Sequence, residues 1–485
     1  MKNNHNQSVS GARPIRRKLL CSAISMSLLS LANQGIAQQE ELEEIVVTGS
    51  LIRGTPEDAA LPVEVFSVDD LREVGNPTAL EFAKTLTSSG PTTGEAHYFG
   101  GSGNTGNVGY NLRGIGADKT LTLFNGRRSY ENASIFPSAA VQRIEILKDG
   151  AAVTYGADAT GGVVNFITRS DFEGFELQSS YKAIDGSNGD YNISALGGWN
   201  FDNTNIMVAA EWDHRSELDT VERPFTSLPN SVNPAPWSTL TNLAGWVPRG
   251  SLPATPDNTA NGEWGSPLGL VSDFDQDSCE AVGGAYVNSY TCKYNYIPYY
   301  NLVEESEFYR LFGQVTTDVT DTMQFYFRGA FARNFRPHQY GSPSQPVVRG
   351  PARATGATYQ IYVPVANPYV QEFVDRSGWS SSPYAGFTEG FTPITYRAFA
   401  HGGNDVFAEG NSHSTPNVND SKYTHISTGL NGSFEISERE IGYDVALTYN
   451  QFNSDSRAPD IAGARLQQAL NGFGGPNCEA QDLDP

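Results

Sequence analysis

Downstream of Asp171, apolar and polar side chains alternate with a period of two, which is typical of β-strands whose two faces meet different environments. From Ile441 to Asn450, for example, odd-numbered positions are apolar and even-numbered positions are small or polar. Seven segments follow this pattern: Phe175 to Lys182, Tyr191 to Trp199, Asn205 to Trp212, Glu307 to Val319, Met323 to Arg333, Tyr423 to Phe434 and Ile441 to Phe452. The pattern predicts an antiparallel transmembrane sheet with one face toward lipid and the other toward a polar lumen.

Short and long links mostly alternate between these segments. Short links fall at 200–204, 320–322 and 436–440, and long ones at 213–306 and 334–422. Outer-membrane barrels have short periplasmic turns and long extracellular loops, so the first strand is expected to run outward. An odd number of strands cannot close such a barrel, which predicts that the sequence is C-terminally truncated. A soluble β-sandwich also alternates, but insertions of this length on one side would be unusual for it.

Residues 55–170 show a different pattern, in which short strands and helices follow one another. Residues 62–66 are apolar and extended, Asp69 or Asp70 is predicted to cap a helix that runs to Val74, and Thr78 is predicted to cap a helix over 79–86. Asn125-Gly126 predicts a hairpin turn between two strands. These features indicate a compact α+β domain.

The stretch from Val141 to Arg169 predicts a strand, a tight connection and a second strand. Gly161 and Gly162 precede the second strand. Paired glycines at such a position indicate close backbone approach or positive φ, which a Cβ would obstruct.

The N-terminal region has the three parts of a secretory signal. A basic cluster at 13–18 precedes the apolar segment Leu19 to Leu31, and cleavage is expected after Ala37. A membrane anchor is the alternative, but the apolar segment is short for a span. Residues 38–54 form an acidic leader with the apolar run Ile45 to Thr48, which either pairs with a strand of another protein or begins the next domain.

Three of these stretches resemble one protein family. IEILKDGAAVTYGADATGGVVNFIT, at 144–168, resembles the end of the plug domain of TonB-dependent outer-membrane receptors, whose usual form is close to VEVLRGPxxxLYGxxAxGGVVNIIT. The departure is Asp149-Gly150, where Gly-Pro is commoner. NLRGIG at 111–116 and TLTLFNGRR at 120–128 resemble the same domain, and EEIVVTGS at 43–50 resembles the box that TonB captures.

The resemblance implies the fold and the residues that define it. The expected fold is mainly β: an α+β plug domain at 55–170, followed at 171–485 by the N-terminal part of an incomplete outer-membrane β-barrel with long extracellular loops. The TonB-binding residues would be Glu44, Ile45, Val46, Val47 and Thr48. The plug-motif residues are Arg113, Gly114, Asn125, Gly126, Arg127, Tyr155, Gly156, Gly161, Gly162 and Asn165.

The resemblance also implies a function. The expected protein is a receptor in the outer membrane of a Gram-negative bacterium, in contact with outer-membrane lipid. It would take up a scarce small molecule or oligosaccharide, such as a siderophore-type iron chelate, with energy from TonB and its inner-membrane complex. A receptor fragment or surface protein that binds ligand without translocating it is the alternative. No enzyme motif and no resident cofactor are predicted.

Charge narrows the possible partners. The net charge of −22 argues against nucleic-acid binding, because phosphate requires a basic surface. Arg113, Arg127, Arg128 and Arg143 could bind an anionic ligand or pair with carboxylates in the lumen of the surrounding barrel. We favour the pairing role.

The remaining candidate sites are weaker. Cys279 and Cys292 are expected to form a disulfide in an outer loop, and Cys478 is expected to pair beyond Pro485. Asp273 to Asp277 resembles the start of a calcium loop without its usual glycine and glutamate, so it is a weak calcium site or a solvated acidic turn. The Gly101, Gly103 and Gly106 pattern lacks the strand and helix of a nucleotide site. The seven histidines show no ligand spacing, so no metal site is predicted.

Overall fold

The computed structural model describes residues 63–73, 75, 77–91, 96–97, 104–130, 132–234, 237–238, 244–249, 276–281, 284–288, 291–295, 300–339, 363–364, 367, 390–396, 417–437 and 439–457. The predicted signal, the predicted TonB-binding segment Glu44–Thr48, the acidic loop 273–275 at the start of the calcium-like motif, and Cys478 lie outside these residues. Among the helices in the described ranges, none is long and apolar enough to cross a bilayer.

The first part of the described chain, which we call the plug (residues 63–168), contains both helices and strands. Its strands are β1 (Val63–Ser67), β2 (Ala96–His97), β3 (Asn104–Thr105), β4 (Thr120–Phe124), β5 (Arg127–Arg128), β6 (Val141–Leu147) and β7 (Gly162–Thr168). Its helices are α1 (Val68–Glu73), α2 (Ala79–Thr85) and α3 (Ala151–Tyr155), with short 3₁₀ turns at Ala117–Lys119, Ala133–Ile135, Ser138–Ala140 and Ala157–Ala159. Five strands form one sheet in the order β1-β6-β7-β4-β5, in which only β4 and β7 are parallel.

The local sequence explains how helices α1 and α2 begin. Thr78 caps α2 as predicted: its hydroxyl accepts the Glu81 N–H at 3.3 Å, and its own N–H donates to Glu81 Oε2 at 3.0 Å. The predicted cap of α1 is wrong, because Ser67 rather than Asp69 or Asp70 caps it. Ser67 and Asp70 exchange the same pair of hydrogen bonds, and the bonds from Ser67 hold the pKa of the Asp70 carboxyl below its usual value.

The second part of the described chain is almost entirely β. Its strands are β8 (Gly174–Lys182), β9 (Asp190–Phe201), β10 (Thr204–Arg215), β11 (Leu218–Asp219), β12 (Trp237–Ser238), β13 (Ala244–Arg249), β14 (Gly284–Asn288), β15 (Thr291–Asn295), β16 (Asn301–Val303), β17 (Ser306–Thr320), β18 (Met323–Gln339), β19 (Val363–Pro364), β20 (Gly390–Tyr396), β21 (Asn417–Ile436) and β22 (Arg439–Arg457). One helix, α4 (Gln276–Ala281), and 3₁₀ turns at Thr220–Glu222 and Pro224–Ser227 complete it.

Seven of these strands form one antiparallel sheet, which we call the wall, in the order β22-β21-β18-β17-β10-β9-β8. They are the seven strands that the alternation predicts, and each includes its predicted segment. The predicted fold, an α+β plug followed by a partial antiparallel barrel, is confirmed. The small strands of the long links form separate sheets: β11-β16, β12-β15-β14 and β13-β20-β19.

The two faces of the wall differ as the alternation predicts. Toward the plug, Met207, Phe312 and Tyr423 are buried in one apolar cluster with Phe124 and Phe136 of the plug. Large apolar side chains on the opposite face are exposed, among them Val208, Leu311, Phe331, Val445 and Leu447. The plug therefore packs on one face of the wall and leaves an apolar face outside.

Candidate functional site

The interface between plug and wall is the candidate site, and a two-residue turn positions its first charged group. Asn125 and Gly126 have φ of 47° and 74°, as in the type I′ turn that joins tight hairpins, and they connect β4 to β5. The side-chain oxygen of Asn165 accepts the Gly126 N–H at 3.0 Å, and that of Asn125 accepts the Thr168 N–H at 3.0 Å. The turn is thus fastened to β7, and it holds Arg127 at the start of β5.

Arg127 crosses from the plug to two strands of the wall. Its guanidinium donates to the Tyr326 hydroxyl on β18, with Nη2 at 2.8 Å, and forms an ion pair with Asp444 on β22. Desolvation lowers the pKa of Arg127, but the charge of Asp444 and the contact with Tyr326 raise it by more, so the side chain stays cationic. For Arg127, the predicted pairing with a carboxylate of the wall is confirmed.

The other three arginines find their partners inside the plug instead. Arg113 donates to the carbonyls of Thr160 and Gly161, Arg128 to Asp158 and the carbonyl of Tyr155, and Arg143 to Glu145. The predicted pairing with the wall is therefore wrong for Arg113 and Arg128. Arg113 and Arg128 hold residues 155–161 against the rest of the plug, whereas the Arg143 contact lies within β6.

The paired glycines lie where backbones come too close for a side chain. A Cβ on Gly161 would lie 2.7 Å from the Lys119 carbonyl oxygen, and one on Gly162 would lie 2.6 Å from that of Leu147. Gly162 also has a φ of +132°. The predicted close approach is confirmed, and it lets β7 start between β4 and β6.

The remaining motif residues are found at turns around this point. Gly114 and Gly156 have positive φ, of +70° and +85°, and Gly156 ends α3. Tyr155 lies at the end of α3 and offers its carbonyl to Arg128. The structure thus sorts the motif into two groups, one at the Arg127 hairpin and one at the start of β7.

A buried ionic cluster on the wall was not predicted. Arg310 of β17 lies directly opposite Glu211 of β10, its Nη1 is 2.8 Å from Glu211 Oε1, and it also pairs with Asp213. The plug completes the cluster with backbone and hydroxyl groups. The carbonyl of Ser134 accepts from Arg310 Nε, and the Ser138 hydroxyl donates to Glu211 Oε2 at 2.8 Å. Here the wall supplies the charges and the plug supplies neutral partners.

Aromatic rings form a third contact. Phe124 and Phe136 of the plug are stacked, and both rings meet His425 of β21 edge-on at 5.6 and 5.7 Å. Phe312 of β17 meets Phe124 at 5.4 Å. In a second group, Phe452 of the wall stacks on both Tyr130 of the plug and Tyr423 of the wall, and the two tyrosine rings are tilted toward each other.

Ion pairs also link the plug to β8. Lys182 Nζ lies 2.7 Å from Glu81 Oε1, which belongs to the capping box of α2. Burial raises the pKa of Glu81, but the bonds from Lys182 and Thr78 lower it by more, so the net shift is downward. Charge-assisted contacts, which water can replace when the two parts separate, thus accompany the apolar and aromatic contacts of the interface.

The predicted disulfide lies far from this interface in sequence. Cys279, on α4, is fully buried and disulfide-bonded. The side chain of Cys292 lies outside the described part of the chain, so its identity as the partner stays a prediction.

Comparisons with known proteins identify the plug and a set of similar solved structures. Residues 55–163 match the family model described as TonB-dependent Receptor Plug Domain. Among solved structures, a variant of the ferric enterobactin receptor PfeA of Pseudomonas aeruginosa in complex with enterobactin is similar at 14% identity and a TM-score of 0.43, over 81% of this chain and 41% of that one. The siderophore receptor PirA of the same species is similar at 11% identity and 0.38 (81% and 41%), and PirA of Acinetobacter baumannii at 12% and 0.41 (81% and 40%).

The chain thus spans about two fifths of the length of these solved receptors. The family match covers β1 to β6, the Asn125-Gly126 turn and the paired glycines, and it ends at the second residue of β7. Residues 55–163 of this chain are a plug domain of the TonB-dependent receptor family.

Proposed function

We propose that this chain forms the plug and part of the wall of a TonB-dependent receptor that takes up a scarce solute, a siderophore-type iron chelate or a similar molecule, across the outer membrane. No covalent chemistry is required of the protein. The work consists of binding ligand on the outer side and moving the plug so that the ligand can pass.

The observation that carries the proposal is the contact of a family-matched plug with the wall through polar groups. Arg127 reaches Tyr326 and Asp444, and Glu211 reaches Ser138. Each of these polar contacts can be exchanged for water, and they surround an apolar cluster that includes Phe124 and Phe136 of the plug and Phe312 of the wall. Polar contacts of this kind suit a plug that can move relative to the wall.

Energy would enter through the leader. Glu44, Ile45, Val46, Val47 and Thr48 form an extended apolar segment after an acidic stretch, which suits pairing with a strand of TonB. The exposed apolar face of the wall, with Val208 and Leu447, suits contact with outer-membrane lipid. Uptake also needs a closed wall, so the proposal includes further strands that join the sheet at the edges formed by β8 and β22.

The test is energised uptake by cells whose receptor lacks Ile45 to Thr48. A matched control lacks Gln38 to Glu41, four residues of the same leader. Cells are offered radioactive iron in a panel of chelates, and both surface binding and accumulation are measured. We expect the first deletion to abolish accumulation but not binding, and the control to keep both.

Two results would overturn the proposal. One is accumulation that is unchanged by the deletion of Ile45 to Thr48. The other is binding without accumulation in cells that carry the intact receptor and TonB, which would indicate a surface-binding protein.

A further inference from the structure

A cluster of metal-ligating side chains lies at the rim of the wall, away from the plug. His214 of β10 and Glu307 of β17 are register partners, and His214 Nδ1 lies 2.7 Å from Glu307 Oε1. Glu305 precedes β17 by one residue and lies on the same face as Glu307. One ligand atom from each of the three residues lies within 4.8 Å of the others.

A bulge places a second imidazole, that of His338, beside Glu305 of the cluster. Along β18, Asn334 and Arg336 are buried toward the plug, and simple alternation would also turn His338 inward. The register with β21 shifts between Arg336 and Gln339, so that Gln339 is buried and the His338 side chain is 46% exposed. His338 Nδ1 then lies 3.3 Å from Glu305 Oε2. Bulges commonly re-aim a side chain in this way at functional positions.

Neighbouring groups orient the ligands. The Ser216 hydroxyl lies 3.2 Å from His214 Nε2, which leaves Nδ1 turned toward the carboxylates. The Trp212 indole N–H donates to Glu307 Oε2. Hydrogen bonds of this kind hold metal ligands in one orientation and tautomer.

We propose that His214, Glu305, Glu307 and His338 bind a divalent first-row transition-metal ion such as Zn²⁺. Two imidazoles and two carboxylates supply four ligands, and the two negative charges balance the ion. A tetrahedral ion needs ligand atoms roughly 3.4 Å apart. The ligand atoms of His214, Glu305 and Glu307 lie within 4.8 Å of one another, and the closest pair, at 2.7 Å, would open. His338, which contacts Glu305 at 3.3 Å, would complete the site by side-chain rotation.

The site would join three adjacent strands, β10, β17 and β18, at the end opposite their short links. His214 lies on the same face as Val208, and Glu307 on the same face as Leu311, so the ion would bind outside the wall. It does not involve the plug, and it stands independently of solute uptake.

The test measures Zn²⁺ binding to the purified full chain in detergent by calorimetry, with Co²⁺ absorption as a second readout of coordination. The variants are His214→Ala, Glu305→Gln and His338→Ala. Glu435→Gln, an exposed carboxylate at the other end of the sheet, is the matched control. Circular dichroism confirms that each variant is folded.

We expect one ion per chain and tetrahedral Co²⁺ bands. Each ligand variant should weaken Zn²⁺ binding by at least about 10- to 100-fold, because even the loss of a residue that hydrogen-bonds to a metal ligand typically costs that much. The control should bind Zn²⁺ as tightly as the native chain. Zn²⁺ should raise the Tm of the native chain but not of His214→Ala. Equal binding by all variants, binding of Ca²⁺ without Zn²⁺, or no Zn²⁺ binding by the folded native chain would each overturn the proposal.

Discussion

Arg127 and Arg310 both join the plug to the wall, and they do so from opposite sides. Arg127 belongs to the plug and reaches out to Asp444, whose side chain is 47% exposed. Arg310 belongs to the wall and reaches in to the Ser134 carbonyl, with its own side chain 7% exposed and its partner Glu211 5% exposed. The chemistry is the same, but the first pair lies near water and the second does not.

The difference shows which contacts restrain the plug and which hold the wall together. Removing one partner from a buried ion pair leaves an uncompensated buried charge. A partly exposed pair, in contrast, is only slightly more stable than the same two groups hydrated separately. The carboxylates at the Arg310 cluster remain paired within the wall even if the plug withdraws, since the plug contributes only neutral groups there. The ion pair between Arg127 and Asp444, in contrast, must break if the plug withdraws.

The largest expected effect is at Arg310. Arg310→Met leaves Glu211 and Asp213 buried without a cation, so the free energy of unfolding should fall by about 3–5 kcal/mol. Chemical unfolding of the purified chain in detergent measures it. Arg333→Met, which breaks the more exposed pair with Asp420, is the control and should cost about 1 kcal/mol or less. Equal losses in the two variants would contradict the importance of burial.

A smaller effect is expected for the Arg127 pair. A double-mutant cycle with Arg127→Gln and Asp444→Asn should give a coupling energy of about 0.5–1 kcal/mol that decreases with added salt. Arg457→Gln with Asp455→Asn is the control, because both side chains are mostly exposed, and its coupling should not be measurable. A large coupling that salt does not change would show that water is excluded from the Arg127 pair.

The smallest effect is a pH dependence at Glu81. Because folding lowers the pKa of Glu81, its contribution to stability is complete above the ordinary glutamate pKa of about 4.3 and is lost as pH falls through the lowered value. Glu81→Gln keeps the capping box but loses the pair with Lys182, so this part of the pH dependence should vanish. Tm measured against pH for both proteins checks it. Thr78→Ala, which loses the cap, is the control and should lower Tm at every pH. Identical curves of Tm against pH for the native protein and Glu81→Gln would refute the assignment of this pH dependence to Glu81.

Much of the fold could be predicted because its determinants are local. The seven strands of the wall follow from the alternation of side chains, and the Asn125-Gly126 turn follows from the φ values that these residues tolerate. The close approach at Gly161 and Gly162 follows in the same way. The error at α1 is also local: Ser67 competes with two aspartates for the cap, and Asp70 takes the third helical position instead.

The charged contacts could not be predicted because they depend on register. Glu211 and Arg310 are paired by the alignment of two strands that lie far apart in sequence. Nothing in the alternation indicates the bulge that turns His338 outward. Likewise, Arg113, Arg128 and Arg143 look equivalent to Arg127 in sequence, and the fold of the plug decides which partner each of them meets.

The position of β1 has a mechanical consequence. It is the edge strand of the plug sheet and pairs with β6 through five residue pairs, whereas β6 and β7 each have neighbours on both sides. Tension on the chain ahead of Val63 would be borne first by that single ladder. The edge strand could peel away while the central strands keep their partners, so the plug would yield in stages rather than as one block.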